Sequence, residues 1–451
     1  MRTLLRNGIG LYPPDLAVRP MHVLIEGDTI LQVGEHPIEA APDFTVYDLG
    51  GRLLLPGFVD AHTHLAQSFG RGIYDNLHLT QWLLTMNYHF DLTDEEVYVA
   101  ALIGCIEALK SGTTTVAEMT GGPRADMTVR AIADSGLRAV VCTAMGDHQE
   151  GENPPPEENA DRLLQDTREF FKRWHGQAEG RISVKVAPVG LPACTEELMR
   201  GSRDLADELG VGIHTHCCEG QTETADADGR FGCSEVEAIH RFGVLGPDAQ
   251  LAHCIWLTER DKQIIAETGS HPVTCPSTNT KVTDGMPPMP DLFKLGVNIA
   301  IGCDGEASSG SYDMLQEARL ASLLGKVRTM DAAVFTAEQT FEMMTRNGSR
   351  AVGLGEAVGA LEAGRKADIA VIDYPQIHLI DERRLLSNLI YSATGGDVDS
   401  VFVGGRALMW RRQLLGIDEA AVVARALEMM RGADHLIPSG RRADQRKHKE
   451  A

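Results

Sequence analysis

Four stretches of this chain bring imidazoles and carboxylates together: Asp60-Ala-His62-Thr-His64, His214-Thr-His216-Cys-Cys-Glu219, Ala252-His253-Cys and Gly302-Cys-Asp304-Gly. Each ends a short β-rich run. His62 and His64 are two residues apart, so on a strand both imidazoles leave the same face. Two imidazoles on one face make a bidentate clamp for a metal ion. A His-x-His pair alone is weak evidence, since surface and hydrogen-bonded histidines also occur in pairs. The set carries the argument. Adding His216 and Asp304 gives three nitrogens and one carboxylate with room for a water, the make-up of an open catalytic site of zinc type. Such N/O donors suit Zn2+, Fe2+ or Mn2+.

The elements that must position these residues follow from the pattern. From about residue 54 to 360, β-rich runs alternate with helical stretches. The runs are Phe58-Val-Asp-Ala, Thr113-Thr-Thr-Val-Ala, Ala139-Val-Val-Cys-Thr, Ile182-Ser-Val-Lys-Val-Ala, Gly212-Ile-His-Thr-His, Gln250-Leu-Ala-His, Pro272-Val-Thr and Val297-Asn-Ile-Ala-Ile-Gly. Apolar strands alternating with helices imply a parallel sheet covered on both faces. Eight units in roughly 300 residues fit an α/β fold of the (β/α)8 TIM-barrel type, whose reactive residues sit at the C-terminal strand ends. A doubly wound open sheet is the alternative. No Gly-x-Gly-x-x-Gly turn follows a strand to favour a dinucleotide site.

The barrel is expected over residues 55–362. Residues 1–54 and 363–451 read as one small composite β-sandwich domain. Val23 to Val33 carries a Gly-Asp turn between two β-rich runs, and Gly-broken strand runs begin at Gly364 and Val398. A helix is expected from Ala420 to Arg431, then a disordered tail from Arg441. Asn153-Pro-Pro-Pro-Glu-Glu-Asn reads as an exposed loop.

Composition sets the wider limits. The 451 residues include 64 acidic and 42 basic side chains, a net charge of −22. That excess argues against nucleic acid and anionic membranes as partners, because each needs a basic surface. No run approaches the ~18 apolar residues of a membrane span. The N-terminus lacks the pattern of a secretory signal. Nine cysteines, an odd number in a long chain, read as reduced thiols, so a cytoplasmic location is expected.

Taken together, Leu55-Pro-Gly-Phe-Val-Asp-Ala-His-Thr-His, the His-x-x-Glu of the fifth strand, Ala-His-Cys and Gly-Cys-Asp-Gly resemble the amidohydrolase superfamily. The similarity lies with its mononuclear-metal branch of nucleobase- and S-adenosylhomocysteine-type deaminases and triazine (chloro)hydrolases, over about residues 20 to 430. The resemblance implies a (β/α)8 barrel with a small β domain, and a homo-oligomer. It implies one divalent ion per subunit, Zn2+ first with Fe2+ or Mn2+ as alternatives, held by His62, His64, His216 and Asp304. Such an ion lowers the pKa of its water to about 7 in favourable sites. By the same resemblance Asp304 accepts the water's proton. Glu219 shuttles a proton to a ring nitrogen, and His253 polarises the water or stabilises the tetrahedral intermediate.

Other residues compete for these roles. The pattern His-x-x-Glu selects His216 over His214, which is expected to be buried support. Cys217, Cys218 and Cys303 flank ligands but are expected to pack as small apolar groups. His78, His89 and His240 lack strand-end context, although His78 and His89 lie in a loop that could reach the pocket. Lys185 lies in the fourth strand, where binuclear relatives carry a bridging carboxylated Lys. It comes too early in the strand to reach the mouth, which favours one metal. Candidate substrate contacts are Gln67, Trp82, Glu118, Asn279 and Ser308, with Lys281 and Ser309 beside them. For these the competing roles are loop support, core packing, capping and orientation of other side chains.

Departures from the resemblance bear on the substrate. Nucleoside-type deaminases carry Pro-x-Glu after the Trp-Leu helix and Pro-His-Ser/Ala-Pro-Tyr after strand four. This chain has Met86-Asn-Tyr-His-Phe-Asp-Leu and Ala187-Pro-Val-Gly-Leu-Pro instead. Gly310 replaces the usual Asn, which is expected to widen that edge of the pocket. A small aminated N-heterocycle is therefore expected: a pyrimidine, oxopurine, pterin or triazine, losing ammonia. Displacement of chloride or an alkylamine from a triazine-like ring is the alternative, as is deamination of an adenosine-type nucleoside.

Overall fold

The computed structural model describes residues 2–12, 16–86, 92–122, 124–148 and 159–431. The expected loop at Asn153, the tail from Arg441, and His89 lie outside them.

Both ends of the chain meet in one nine-stranded sheet. Its strands are β1 (Arg2–Tyr12), β2 (Ala17–Glu26), β3 (Thr29–Gly34), β4 (Thr45–Asp48) and β5 (Leu53–Pro56) from the beginning of the chain. The far end adds Ile369–Ile372, Val398–Val403, Arg406–Trp410 and Gln413–Leu414. The seam is antiparallel, with Leu53–Pro56 beside Ile369–Ile372. One face buries Leu5, Val23, Ile25, Ile30, Leu54, Val371 and Phe402, a core separate from the main one. Alternate residues of the central strands face the other way, and Leu53, Leu55, Ile372, Val401 and Val403 join the main core, so the middle of this sheet is covered on both sides.

The middle of the chain builds two parallel sheets. The first contains β6 (Phe58–Thr63), β7 (Thr113–Thr120), β8 (Arg138–Met145), β9 (Ile182–Val184) and β10 (Ala187–Pro188). The second contains β11 (Ile213–Cys217), β12 (Ala249–His253), β13 (His271–Thr274) and β14 (Ala300–Ile301) in sequence order. Isolated parallel bridges join them at both edges, Val186 to Ile213 and Thr63 to Asp304. The eight runs of the sequence all appear, the fourth as the consecutive strands β9 and β10. The strands β6 and β7 are buried at every position, which is why they read as apolar and β-branched runs interrupted only by Asp60, His62 and Glu118.

Local chemistry sets the helices between the strands. Thr93 and Glu96 form a reciprocal capping box on the helix Asp94–Lys110, with three acids in its first turn and Lys110 in its last, satisfying its free N–H groups and matching its dipole. Thr195 caps Glu196–Leu209, and Gly210 ends that helix in the left-handed conformation. The end sheet is tied to the parallel strands by a buried bidentate pair. Arg138 Nε donates to Asp368 Oδ2 at 2.7 Å and its Nη2 to Oδ1 at 3.0 Å. The helix Glu419–Arg431 matches the expected one. Among the described residues no helix is long and apolar enough to cross a membrane.

Candidate active site

The C-terminal ends of β6, β11 and β12, with the turn after β14, converge on one cavity of about 410 Å3. Its lining includes His64, His216, Glu219, His253 and Asp304. Asp304 reaches the first strand directly: its N–H donates to the carbonyl of His62 at 2.8 Å. A Cβ at Gly302 would lie 2.8 Å from the His62 backbone, so only glycine permits this approach. His253, Cys254, Cys218 and Asp304 all have φ between +50° and +73°. That concentration of left-handed non-glycine residues marks strain at the strand ends.

The candidate ligands present one type of nitrogen inward. His64 Nδ1 lies 2.6 Å from the carbonyl of Met119, and His216 Nδ1 lies 2.6 Å from that of Val189. A carbonyl only accepts, so both rings are protonated at Nδ1, which makes Nε2 the lone-pair nitrogen of the neutral ring. His62 Nδ1 lies 2.8 Å from His214 Nε2, and its own Nε2 is buried with no hydrogen-bond partner among the described residues. Asp304 Oδ1 lies 3.4 Å from His62 Nε2 and 3.3 Å from His64 Nε2. Possible ligand atoms of His62, His64 and Asp304 lie within 4.8 Å of one another, as do those of His62, His216 and His253.

Charge states agree with this geometry. Burial pushes His62 down to about 4 and holds His216 well below the usual histidine range, with nearby imidazoles acting in the same direction. Burial alone would raise the Asp304 carboxyl. The adjacent His62 and the surrounding imidazoles outweigh that and hold it well below the usual range. Neutral imidazoles beside an ionised carboxylate are what a divalent ion of borderline softness needs. The unpartnered His62 Nε2 shows that these residues fit such an ion.

Beside this cluster, His253 Nε2 lies 3.6 Å from Glu219 Oε1. Burial first, then the charges of Glu223 and Asp304, raise Glu219 well above the usual carboxylate range. Asp284 is a neighbour that the motifs did not single out. It lies under Glu219, and burial together with that carboxylate pushes it up to about 9. Its only sequence signal is an acid five residues beyond Asn279. Asp60 is a second omission. Its Oδ1 accepts the N–H groups of Cys303 at 2.9 Å and His62 at 3.4 Å, tying the first strand to the last turn.

The expected substrate contacts divide into two groups. Gln67, Trp82 and Ser308 line the cavity. Gln67 Oε1 and Trp82 Nε1 are buried without hydrogen-bond partners among the described residues. Ser308 lines it while donating to Asp304 Oδ2 at 3.1 Å. Asn279 is different: it is buried, absent from the lining, and its Oδ1 lies 3.0 Å from His253 Nδ1. The helix after β13 turns it behind the histidine and away from the cavity. Glu118 lines the cavity, but its Oε2 accepts from Thr63 Oγ1 at 2.8 Å and from the N–H of Leu65 at 2.9 Å. It holds the turn after β6, the capping role.

Lys281 pairs with Asp75 at 3.0 Å, and His78 meets Thr283. Gly310 is outside the lining, and its φ of +95° explains the glycine. Lys185 is buried and bound to Gln250 and Ala351, below the mouth. Cys217, Cys218 and Cys303 are buried and free, as expected.

The profile described as the amidohydrolase family matches residues 53–408. The 5-methylthioadenosine/S-adenosylhomocysteine deaminase of Moorella thermoacetica is 37% identical over 388 residues, covering 86% of this chain and 88% of its own. The 5'-deoxyadenosine deaminase of Methanothermobacter thermautotrophicus is 36% identical, covering 90% and 93%. Among solved structures, an adenosine deaminase of Xanthomonas campestris with bound zinc superposes with a TM-score of 0.87 at 29% identity, covering 96% and 98%. Atrazine chlorohydrolase of Arthrobacter aurescens, complexed with zinc, shares the fold with a TM-score of 0.87 at 22% identity, covering 95% and 100%. The sheets, the donor cluster and these similarities lead to one conclusion: the chain belongs to the amidohydrolase family and is a hydrolase of C–N bonds.

Proposed function

We propose that this protein is a hydrolytic deaminase of a small aminated N-heterocycle, dependent on one divalent ion, Zn2+ first. The observation that carries the reading is that His62 shares one donor cluster with His64 and Asp304 and a second with His216 and His253, with the Glu219–His253 pair in the same cavity. We also infer that the two bridged parallel sheets form one eight-stranded barrel over residues 55–362. The nine-stranded sheet belongs to a composite β-sandwich domain of residues 1–54 and 363–451.

His62, His64, His216 and Asp304 hold the ion. When bound, such an ion acidifies a water near neutral pH and polarises the substrate. Asp304, ionised and oriented by Ser308, accepts a proton beside the reacting carbon. Glu219, protonated in its buried setting, supplies a proton to a ring nitrogen. His253, fixed by Asn279, faces the developing charge through Nε2. Trp82 covers the ring, and Gln67 offers an unpaired amide oxygen to its edge. The apolar walls exclude water, which strengthens each of these interactions.

The wall after β10 favours a ring without ribose. Val189, Gly190, Pro192 and Ala193 line it and bring no hydroxyl or carboxylate to meet a sugar. The second reading, a 5'-substituted adenosine, is favoured by the names of the relatives above 30% identity. Ammonia release by the zinc-loaded enzyme separates them. The panel is aminopyrimidines, aminopurine bases, aminopterins, aminotriazines and 5'-deoxyadenosines. A free base is expected to give the highest kcat/KM. A nucleoside in that place would establish the second reading. Chloride or alkylamine in place of ammonia would make the enzyme a triazine-type hydrolase.

A further inference from the structure

His62 differs from the other two candidate ligand histidines in one respect. His64 and His216 each meet a backbone carbonyl at Nδ1, which fixes their tautomer. His62 meets another imidazole, His214, and an imidazole nitrogen can either donate or accept. If His214 donated, His62 would carry its remaining proton at Nε2 and could not bind a cation.

A buried polar chain removes the ambiguity. Lys185 follows β9 and is 4% exposed. Its ammonium can only donate, and Nζ lies 2.8 Å from the carbonyl of Ala351 and 3.1 Å from Gln250 Oε1. The Gln250 atom facing an ammonium must be its oxygen. The amide nitrogen therefore points the other way, where it meets the carbonyl of Ala61. That carbonyl requires a donor, so the two ends of the amide give the same orientation independently. The same nitrogen lies 3.2 Å from His214 Nε2. Facing an N–H, His214 Nε2 must be the lone-pair nitrogen, and its proton sits on Nδ1, 3.7 Å from Cys142 Sγ. His62 Nδ1, 2.8 Å from the same nitrogen, must then donate as well, the single lone pair being shared between the two N–H groups with the shorter contact to His62. Its Nε2 is left as a lone pair, 3.4 Å from Asp304 Oδ1.

We propose that Lys185 and Gln250 are positioning residues that set the tautomer of His62 through His214, so that its Nε2 is available to a divalent cation. This rests on the reading of His62 as a metal ligand. It gives a function to Lys185, which lies too deep to touch an ion at the mouth. It also explains why His214 is an imidazole and not an apolar residue of similar size. Partners that orient a ligand histidine commonly contribute 10–100-fold to metal affinity, an order-of-magnitude guide of about that range.

The test is zinc affinity of the purified full-length apoprotein, measured by competition with a chromophoric chelator. Gln250→Glu preserves shape but removes the N–H that faces His214. Its affinity is expected to fall roughly 10–100-fold. His214→Phe is expected to fall similarly. His214→Gln restores an acceptor for His62 Nδ1 and is expected to recover most of the loss. Long-range 15N spectra of histidine-labelled wild-type apoprotein should place the His62 proton on Nδ1. In Gln250→Glu it should shift at least partly to Nε2. Unchanged zinc affinity in both Gln250→Glu and His214→Phe would overturn the proposal, as would a His62 proton on Nε2 in the wild type. If Gln250→Glu does not fold, the wild-type spectrum and the His214 pair decide. A wild-type protein that binds no zinc would instead overturn the metal reading beneath it, and the proposal with it.

Discussion

His253 donates from Nδ1 to Asn279 Oδ1 across 3.0 Å, while its Nε2 faces Glu219 Oε1 at 3.6 Å. One amide thus holds the ring from behind and leaves the other nitrogen for chemistry. Asn279→Ala frees the ring and leaves a buried N–H unpaired, at a stability cost of about 1–3 kcal/mol. Its kcat is expected to fall about 10–100-fold with little change in KM, whereas Asn279→Asp keeps the acceptor and most of the rate. Steady-state ammonia release measures both. A rise in KM alone would make Asn279 a substrate contact.

Asp304 touches two candidate ligands at 3.3 and 3.4 Å. Asp304→Asn is nearly isosteric but removes the negative charge. The variant is expected to retain less than ~0.1 ion per chain after dialysis and to lose at least ~100-fold in kcat/KM. Elemental analysis and ammonia release check the two outcomes. Wild-type enzyme stripped by a chelator should recover its activity when zinc is added.

Glu118 carries a pH signature. Burial raises its carboxyl from the ordinary 4.5 to about 8, against hydrogen bonds from Leu65 and Thr63 that lower it. The folded state therefore holds a proton that the unfolded chain has lost above pH 4.5. That contribution to stability is full below 4.5 and is lost as pH rises toward 8. Glu118→Gln mimics the protonated form and has no such loss. Relative to the wild type it should gain stability progressively across that window, at most several kcal/mol at about 1.4 kcal/mol per pKa unit. Urea unfolding of the metal-free proteins at about pH 5 and about pH 8 checks this. An equal difference at both values would contradict it.

The Arg138–Asp368 pair tests how the end sheet is held. Asp368 also accepts the N–H of Gly404 at 2.8 Å. Asp368→Ala would leave a buried guanidinium unpaired and cost about 3–5 kcal/mol. Thermal unfolding should show a large fall in Tm. The zinc affinity of the folded protein should stay near wild type, because the pair lies remote from the donor cluster.

Much of the site was legible in the residues themselves. A period of two places His62 and His64 on one face wherever a strand forms. Burial on both faces forces the apolar runs that reveal the parallel strands. Strand-end position then offered His214, His216, His253 and Asp304, and the resemblance to the family pattern His-x-x-Glu chose His216 over His214. Side-chain direction beyond the strand ends was not legible, because it depends on turns whose angles no spacing encodes. Asn279 was expected at the substrate and lies behind His253. Glu118 lines the cavity but has one oxygen committed to the turn beside it. Asp284 had no motif to announce it.

The sequence by itself determined the kinds of candidate donor and the strand ends that carry them, because these follow from residue type and local periodicity. Tertiary structure decided which atom of each donor points inward. The tautomers of His64 and His216 come from carbonyls 55 and 27 residues away. That of His62 comes from a ring 152 residues away and an amide beyond it. A hydrogen bond needs atoms about 3 Å apart with matched polarity, and only the folded chain brings residues so distant to that range.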